Sequence, residues 1–551
     1  MKIKKILSTA MALTMVMPYM STNLRTSDIP SAFAESETKV LSSGTCGAQG
    51  DNLTWTLDSE GTLTISGKGE MTDCGETFIT PWSSYTENIV SVIIEDGVTT
   101  IGHTMFYDCS NLTSVTIPDS VTSIGDGAFE GCTKLNSIKI PDSVTEIGGS
   151  AFKNTPWLNA QIMKDPIVIV NNILIEGKNC TGNVVIPNSV TKIANNAFYE
   201  CKGLTSVTIP DSVTSIGIYT FKYCHGLTSI TIPDSVTSIG SRAFEYCSGL
   251  TSITIPDSVT SIGDDAFLAT PWLRSKQEED PLVIVNGILT DGKTCKGDVV
   301  IPDSVTSIGG CAFEYCQNLT SITIPASVTS IGENAFSSCE YLTSINVDSE
   351  NKYYASEDGL LCNKDKTLLI QFPNGKNIPK YAIPDCITTI GDYAFKGCNL
   401  TTVTIPDSVT AIGAYSFVYC KKLNSITIEN PKCEIHYSED TISDTATIYG
   451  YEGSTAQAYA EKYDRKFVAI DTPTPIPTPT TAGDANNDGK VLLNDAVLIL
   501  QHLGNPDAYP LSDQARANAD VSNHGDGITN SDALAIQKYV LGLIPDLPNY
   551  S

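Results

Sequence analysis

Between about residues 91 and 430 the apolar positions return in the same order every 23 residues. One copy reads LTSITIPDSVTSIGDDAF, residues 250–267. Ile253 and Ile255 alternate with Ser252 and Thr254, the period of two expected of a half-buried strand, and Leu250 joins them inside. Pro256 and Asp257 stop the strand and turn the chain, the aspartate bonding its own backbone. Val259 and Ile262 return to the interior, Gly263 permits a bend, and Ala266 with Phe267 closes the coil under the next one. The prolines mark the period: Pro118, Pro141, Pro187, Pro210, Pro233, Pro256, Pro302, Pro325, Pro384 and Pro406. Most steps are one or two units of 23. Such a period predicts a solenoid, in which no unit buries its apolar face alone and stacked strands form a parallel sheet.

The pattern changes at both ends and at three insertions. TCGAQGDNLTWTLDSEGTLTISGKGEMTDC alternates around Leu53, Trp55, Leu57, Leu63 and Ile65, which predicts a small β cap over 35–90. ATIYGYEGSTAQAYAEKYDRKFVAI, within a closing cap at 431–470, predicts a helix near Ala456–Lys462 and a last strand. Residues 155–187 and 270–302 match one another at an offset of 115, five units. Each holds two apolar runs split by Asn-Asn or Asn-Gly, the mark of a β-hairpin. A similar insertion surrounds KYYASEDGLLCNKDKTLLIQFPNGK. The repeat resembles the 23-residue bacterial BspA-like class of leucine-rich repeat proteins over about 91–430. That resemblance implies a mainly β and irregular leucine-rich-repeat solenoid, here with β-hairpin insertions.

Of seventeen cysteines, seven fall at one repeated slot: Cys109 and Cys132, then Cys201, Cys224 and Cys247, then Cys316 and Cys339, spaced 23 apart within each run. This spacing reads as a buried thiol column, with a few bridges between stacked turns left open. The net charge of −28 argues against nucleic acid, which needs a basic stripe, and suits divalent cations. MKIKK, an apolar stretch and Ala32-Phe33-Ala34 predict a signal peptide over 1–34, hence export to the extracellular space. No other run is long and apolar enough to span a bilayer.

An outward threonine column (Thr116, Thr208, Thr231, Thr254, Thr323, Thr404, Thr427) offers either a recognition surface or ordinary exposed strand chemistry. It carries no aromatic platform; Trp157, Trp272, Tyr353 and Tyr354 lie at the insertions, where a glycan or protein ligand is expected first. The aspartates after the prolines, such as Asp119 and Asp257, read as turn residues or weak cation ligands. Five histidines show no metal spacing, no nucleophile elbow is present, and a regular repeat supplies no unique carboxylate pair. The expectation is a non-enzyme, with no catalytic residue.

DTPTPIPTPTTA marks a proline and threonine linker at 471–481. Beyond it, GDANNDGKVLLND (483–495) sets Asp484, Asn486, Asp488 and Asp495 at positions 1, 3, 5 and 12 of a twelve-residue loop, with Gly489 at position 6. These side chains, with the Lys490 carbonyl, form an all-oxygen set suited to Ca²⁺. Leu492 at position 9 leaves a place for water. The helix DAVLILQHL follows. A second copy, ADVSNHGDGITNSDALAIQKYVLG (519–542), offers Asp520, Ser522, Asp526 and Asp532, but its loop is one residue too long.

Two loop-helix units behind such a linker resemble a type I dockerin, a small all-α calcium-binding module with paired EF-hand-like units, over 482–548. The resemblance implies two Ca²⁺ sites, the second atypical, calcium-coupled folding, and a cohesin domain of a scaffoldin as partner in a cellulosome-type assembly that degrades plant polysaccharide. Loop positions 10 and 11, which help select the cohesin, fall on Leu493 and Asn494 and on Asn530 and Ser531. The composite expectation is a secreted, non-catalytic binding or adhesion protein tethered by its tail, the alternative being an enzyme or enzyme regulator of the same complex.

Overall fold

A computed structural model describes residues 39–74, 79–470, 481–506, 508–522 and 527–547. The expected signal peptide, nearly all of the linker and Asp526 lie outside the described residues. The chain forms two compact units, one of residues up to 237 with 246–256, the other of 238–245 with 257 onward. None of the described helices is long and apolar enough to cross a membrane.

The first unit opens with an antiparallel meander. Val40–Gly47 pairs with Gly50–Asp58, which pairs with Thr62–Gly67. Leu53, Trp55, Leu57, Leu63 and Ile65 are buried, as their alternation requires. Thr62–Gly67 then pairs in parallel with Ser91–Ile94, which pairs in parallel with Ser114–Thr116. The meander therefore covers the edge that the first turn of solenoid would otherwise expose.

Each turn carries a short strand on one face, such as Ser229–Thr231, paired in register with Ser252–Thr254 one turn on. A second, two-residue strand follows, as at Thr100–Ile101, Ser123–Ile124 and Glu146–Ile147. Between them the proline carbonyl accepts from the valine three residues later, Val121 N to Pro118 O at 3.1 Å. The aspartates do not make the tie that the sequence suggests. The serine beside each does: Ser120 Oγ donates to Val98 O at 2.8 Å, Ser143 to Val121 at 2.8 Å and Ser235 to Val213 at 2.7 Å. Asp119, Asp142, Asp234 and Asp257 stay exposed. The serine hydroxyl reaches one turn back, so this bond fastens turn to turn.

Inside, Phe106, Phe129 and Phe152 stack at centroid separations of 5.2 and 5.7 Å. Beside them the cysteines form the expected column, and every cysteine is a free thiol, all buried except Cys386. They do more than fill space. Cys132 Sγ donates to Phe106 O at 3.1 Å, and Cys224 to Phe198 O at 3.0 Å. The thiol thus adds a second donor to a carbonyl that already accepts a backbone amide of its own turn, Cys109 N to Phe106 O at 3.2 Å and Cys201 N to Phe198 O at 2.9 Å.

The first insertion begins with a helix absent from the sequence reading, α1 (Pro156–Ile162). Thr155 caps it by accepting from Leu158 N at 3.1 Å, and Pro156 takes the first position. The expected hairpin follows, Val168–Val170 against Ile173–Glu176, with Asn171 and Asn172 both at positive φ as a tight hairpin turn demands. The second unit repeats this as α2 (Pro271–Glu279) and the hairpin Val283–Val285 with Ile288–Asp291. Both tryptophans turn inward. Trp157 packs on Phe152 and Trp272 on Phe267, each at 4.7 Å; Trp272 is buried, which argues against the ligand platform that its place at an insertion suggested, and Trp157 is half-buried.

The rest of the second unit contains a three-stranded insertion, Tyr354–Glu357, Leu360–Asn363 and Leu368–Gln371. Its coil ends in α3 (Thr455–Lys462) and Phe467–Ala469, which pairs in parallel with Thr447–Gly450. Tyr459 Oη donates to Ser438 O at 2.8 Å from inside this cap. The chain closes with α4 (Leu493–Gly504), α5 (Asp513–Ala519) and α6 (Asn530–Val540).

Candidate metal centre

The sequence that precedes α4 folds around its own carboxylates. Asp484 is buried, and its two oxygens accept from Asp488 N at 3.0 Å and Gly489 N at 2.8 Å. Gly489 sits at φ 85°, where a side chain would strain the turn. Asn486 Oδ1 accepts from Asp488 N at 2.9 Å while its amide nitrogen donates to Asp488 Oδ2 at 3.1 Å. Asp488 Oδ1 accepts from Lys490 N at 2.9 Å. Asp495, in the first turn of α4, reaches back to accept from Asn486 N at 3.1 Å and Leu492 N at 2.8 Å. One carboxylate thereby closes the loop and satisfies an amide at the start of the helix.

Burial pushes the Asp495 carboxyl above its ordinary range, and the negative charges of Asp484 and Asp488 push it further, against the pull of the amides of Leu492 and Asn486. This is a site short of positive charge. Its donors are all oxygen, three carboxylates, an amide and the Lys490 carbonyl, a chemistry that fits a hard cation such as Ca²⁺. Among the described residues no three His, Cys, Asp or Glu side chains gather as a metal cluster; the oxygens of Asp484, Asp488 and Asp495 are instead turned to backbone amides of the loop.

The second loop differs. Asp532 is buried, with one oxygen accepting from Val521 N and Ser522 N, both at 2.7 Å, and the other from Thr529 N at 2.8 Å and Thr529 Oγ1 at 2.9 Å. Burial raises its pKa, but these four donors outweigh burial and hold the carboxyl below its usual value. Ser522 Oγ is buried with no hydrogen-bond partner among the described residues. Asp520 ends α5 and is half-buried.

A third helix, α5, was not legible as part of the pair, yet it joins the loops. Asn518 Nδ2 donates to Asp484 O at 3.1 Å and Asn487 Oδ1 at 2.8 Å. Ala485, Ala496, Ile499, Ala519, Val521, Ala533, Ile536 and Leu547 form one small core. The candidate partner residues Leu493, Asn494, Asn530 and Ser531 all lie exposed at the starts of α4 and α6. The apolar residues of α4 divide between core and surface. Ile499 is buried, whereas Leu493, Val497 and Leu500 are 47, 49 and 42% exposed at the i, i+4, i+7 spacing of one helix face. Leu534 on α6 is likewise exposed.

The family described as BspA type leucine rich repeat region matches in six copies over 83–177, 176–277, 293–375 and 369–440, more than half of the chain. A solved leucine-rich repeat protein from Eubacterium ventriosum is 20% identical, covering 75% of this chain and 79% of that one at a TM-score of 0.27. The C-terminal region matches two Ruminococcus flavefaciens proteins. One is a xylanase/beta-glucanase, 46% identical over 77 residues, which are 12% of this chain and only 10% of that protein. The other, solved as the third ScaB cohesin in complex with a group 1 dockerin, is 49% identical over 13% of this chain and 99% of that one, at a TM-score of 0.12. The repeated serine-to-carbonyl ties, the stacked phenylalanines and the matched copies lead to one statement: this chain belongs to the BspA type leucine rich repeat family and ends in a dockerin-like region.

Proposed function

We propose that residues 482–548 are a calcium-dependent plug that seats in a cohesin domain of a scaffoldin, and that the repeat region is the non-catalytic, exported binding surface so tethered. The observation that carries the reading is the Leu493, Val497 and Leu500 face. These side chains are left in water beside a core that buries their helix neighbours, and an uncovered apolar stripe of this kind marks a partner surface. In the 49% identical relative the partner is a cohesin. The ligands proposed for the first Ca²⁺ are Asp484, Asn486, Asp488, Lys490 through its carbonyl, and Asp495; for the second they are Asp520, Ser522, Asp526 and Asp532. Bound calcium supplies the positive charge that the first loop lacks. The rest of the work belongs to the chain: Asp495 and Asp532 hold the first turns of α4 and α6, and those turns present Leu493, Asn494, Asn530 and Ser531.

The test is binding of the full chain to immobilised type I cohesins by surface plasmon resonance, beside the variant V497D/L500D. The variant is expected to lose at least a hundredfold in affinity while calcium titration and helical circular dichroism stay as in the parent. Equal affinity of the two chains contradicts the proposal.

A further inference from the structure

The two copies of the helix-hairpin insertion form an internal comparison. Their frameworks agree: Thr155 and Thr270 cap the helices, Trp157 and Trp272 pack alike, and Gly177 N and Gly292 N donate to Ala197 O and Ala312 O. What lies under the helix differs. In the second copy Lys293 Nζ is bonded to Asp265, Gln277 Nε2 donates to Asp291 Oδ1 at 2.7 Å, and a void of about 10 Å³ lies between Asp265, Leu273 and Asp291. In the first copy Ser150 stands where Asp265 stands, and Ile162 stands where Gln277 stands. With no carboxylate to meet, Lys178 turns to Glu200 at 3.2 Å, and a cavity of about 520 Å³ opens beside α1. That size lies within the roughly 300–1,000 Å³ of small-molecule sites. The cavity is a consequence of residue choice at a few positions of an otherwise repeated frame.

The walls define the ligand's chemistry. Tyr199 and Tyr219 contribute half-buried rings, and Asn154, Asn159, Asn179 and Asn196 contribute amides. Tyr199 and Tyr219 replace the Glu314 and Asn334 of the second copy. The cations do not make an anion site. Lys153 is paired with Glu130 at 2.8 Å and Lys178 with Glu200, and Lys222 Nζ lies over the rings of Tyr219 and Tyr223 at 4.7 and 5.2 Å. The carboxylate of Glu176 accepts from Gly177 N at 3.1 Å and Lys178 N at 2.8 Å. What remains is a charge-balanced cavity of amides, which pair donor and acceptor at the spacing of neighbouring hydroxyls, beside aromatic rings. Its few apolar side chains, Leu158 and Ile162, are a poor match for a peptide anchor.

We propose that this cavity binds a short neutral saccharide. All of its lining residues belong to the first unit. Isothermal titration of the full chain with β-1,4-linked di- and tetrasaccharides of glucose, xylose and mannose, and with digalacturonate, tests it. At least one neutral sugar is expected to give saturable heat that EDTA leaves unchanged. The variant S150D rebuilds the partner that Lys293 has in the second copy, on a backbone of the same hand (φ 56° at Ser150, 53° at Asp265). It is expected to weaken binding at least tenfold with an unchanged melting temperature. N159R places on exposed Asn159 the arginine of the second copy, and it is expected to do the same should S150D fold poorly. Absence of heat with every neutral sugar, preference for digalacturonate, or undiminished binding by both variants overturns the proposal.

Discussion

At the scale of single residues, burial decides chemistry twice. Burial pushes the thiols of Cys46, Cys339 and Cys433 up to about 12, and the thiolate is the reactive form. Cys386 alone among the cysteines is exposed. At pH 8 the native chain is expected to release one equivalent of chromophore rapidly from a disulfide reagent such as dithionitrobenzoate, and the rest only in guanidinium. Several fast equivalents would contradict the buried column. The two loop aspartates respond oppositely to acid. In the metal-free chain Asp495, raised when folded, contributes stability that is present in acid and lost as pH rises through its folded pKa. Asp532, depressed when folded, contributes stability that is present above its unfolded pKa and lost as pH falls.

At the scale of elements, the stack depends on rings and serines. Phe129→Ala is expected to cost about 3–5 kcal/mol, since it opens a cavity between Phe106 and Phe152. Ser143→Ala should cost about 1 kcal/mol for its single inter-turn bond, and the neighbouring Asp142→Ala almost nothing; denaturant unfolding distinguishes them. The order of these effects was only half legible. Twenty-three-residue spacing and strand alternation identify coil, sheet face and core, because burial imposes period. Which of Asp and Ser in the turn makes the bond was not legible, because both are turn residues and only the neighbouring coil decides. The short α1 escaped for a similar reason: one apolar turn after Thr155 and Pro156 is too brief to show a helical period. Asn154, Tyr219 and Tyr223 at positive φ are likewise set by stacking, against their own preference.

At the scale of the whole molecule, repetition and its interruption divide the work. Copies that keep the frame preserve the coil, and copies that change a few positions, as Ser150 and Tyr199 do, open a cavity. The tail carries a different economy, with a core of eight mostly small side chains and three carboxylates in one loop. Its oxygen spacing in the first loop was plain in sequence; the donors saturating Asp532 and the bridge from Asn518 were not, since the first come from both ends of an irregular loop and the second from α5. In a chain of net charge −28, chelation should loosen the tail and leave the parallel stack intact. Far-ultraviolet circular dichroism is expected to lose helical signal in EDTA with strand signal unchanged, while equal loss of both would show that the two are not separable.

The most direct measurement is the affinity of the full chain for an immobilised type I cohesin across a calcium titration. Tight binding in millimolar Ca²⁺ that disappears in EDTA and returns when calcium is restored is the predicted result. Binding of equal strength with and without calcium, or binding to none of a panel of type I cohesins, contradicts it.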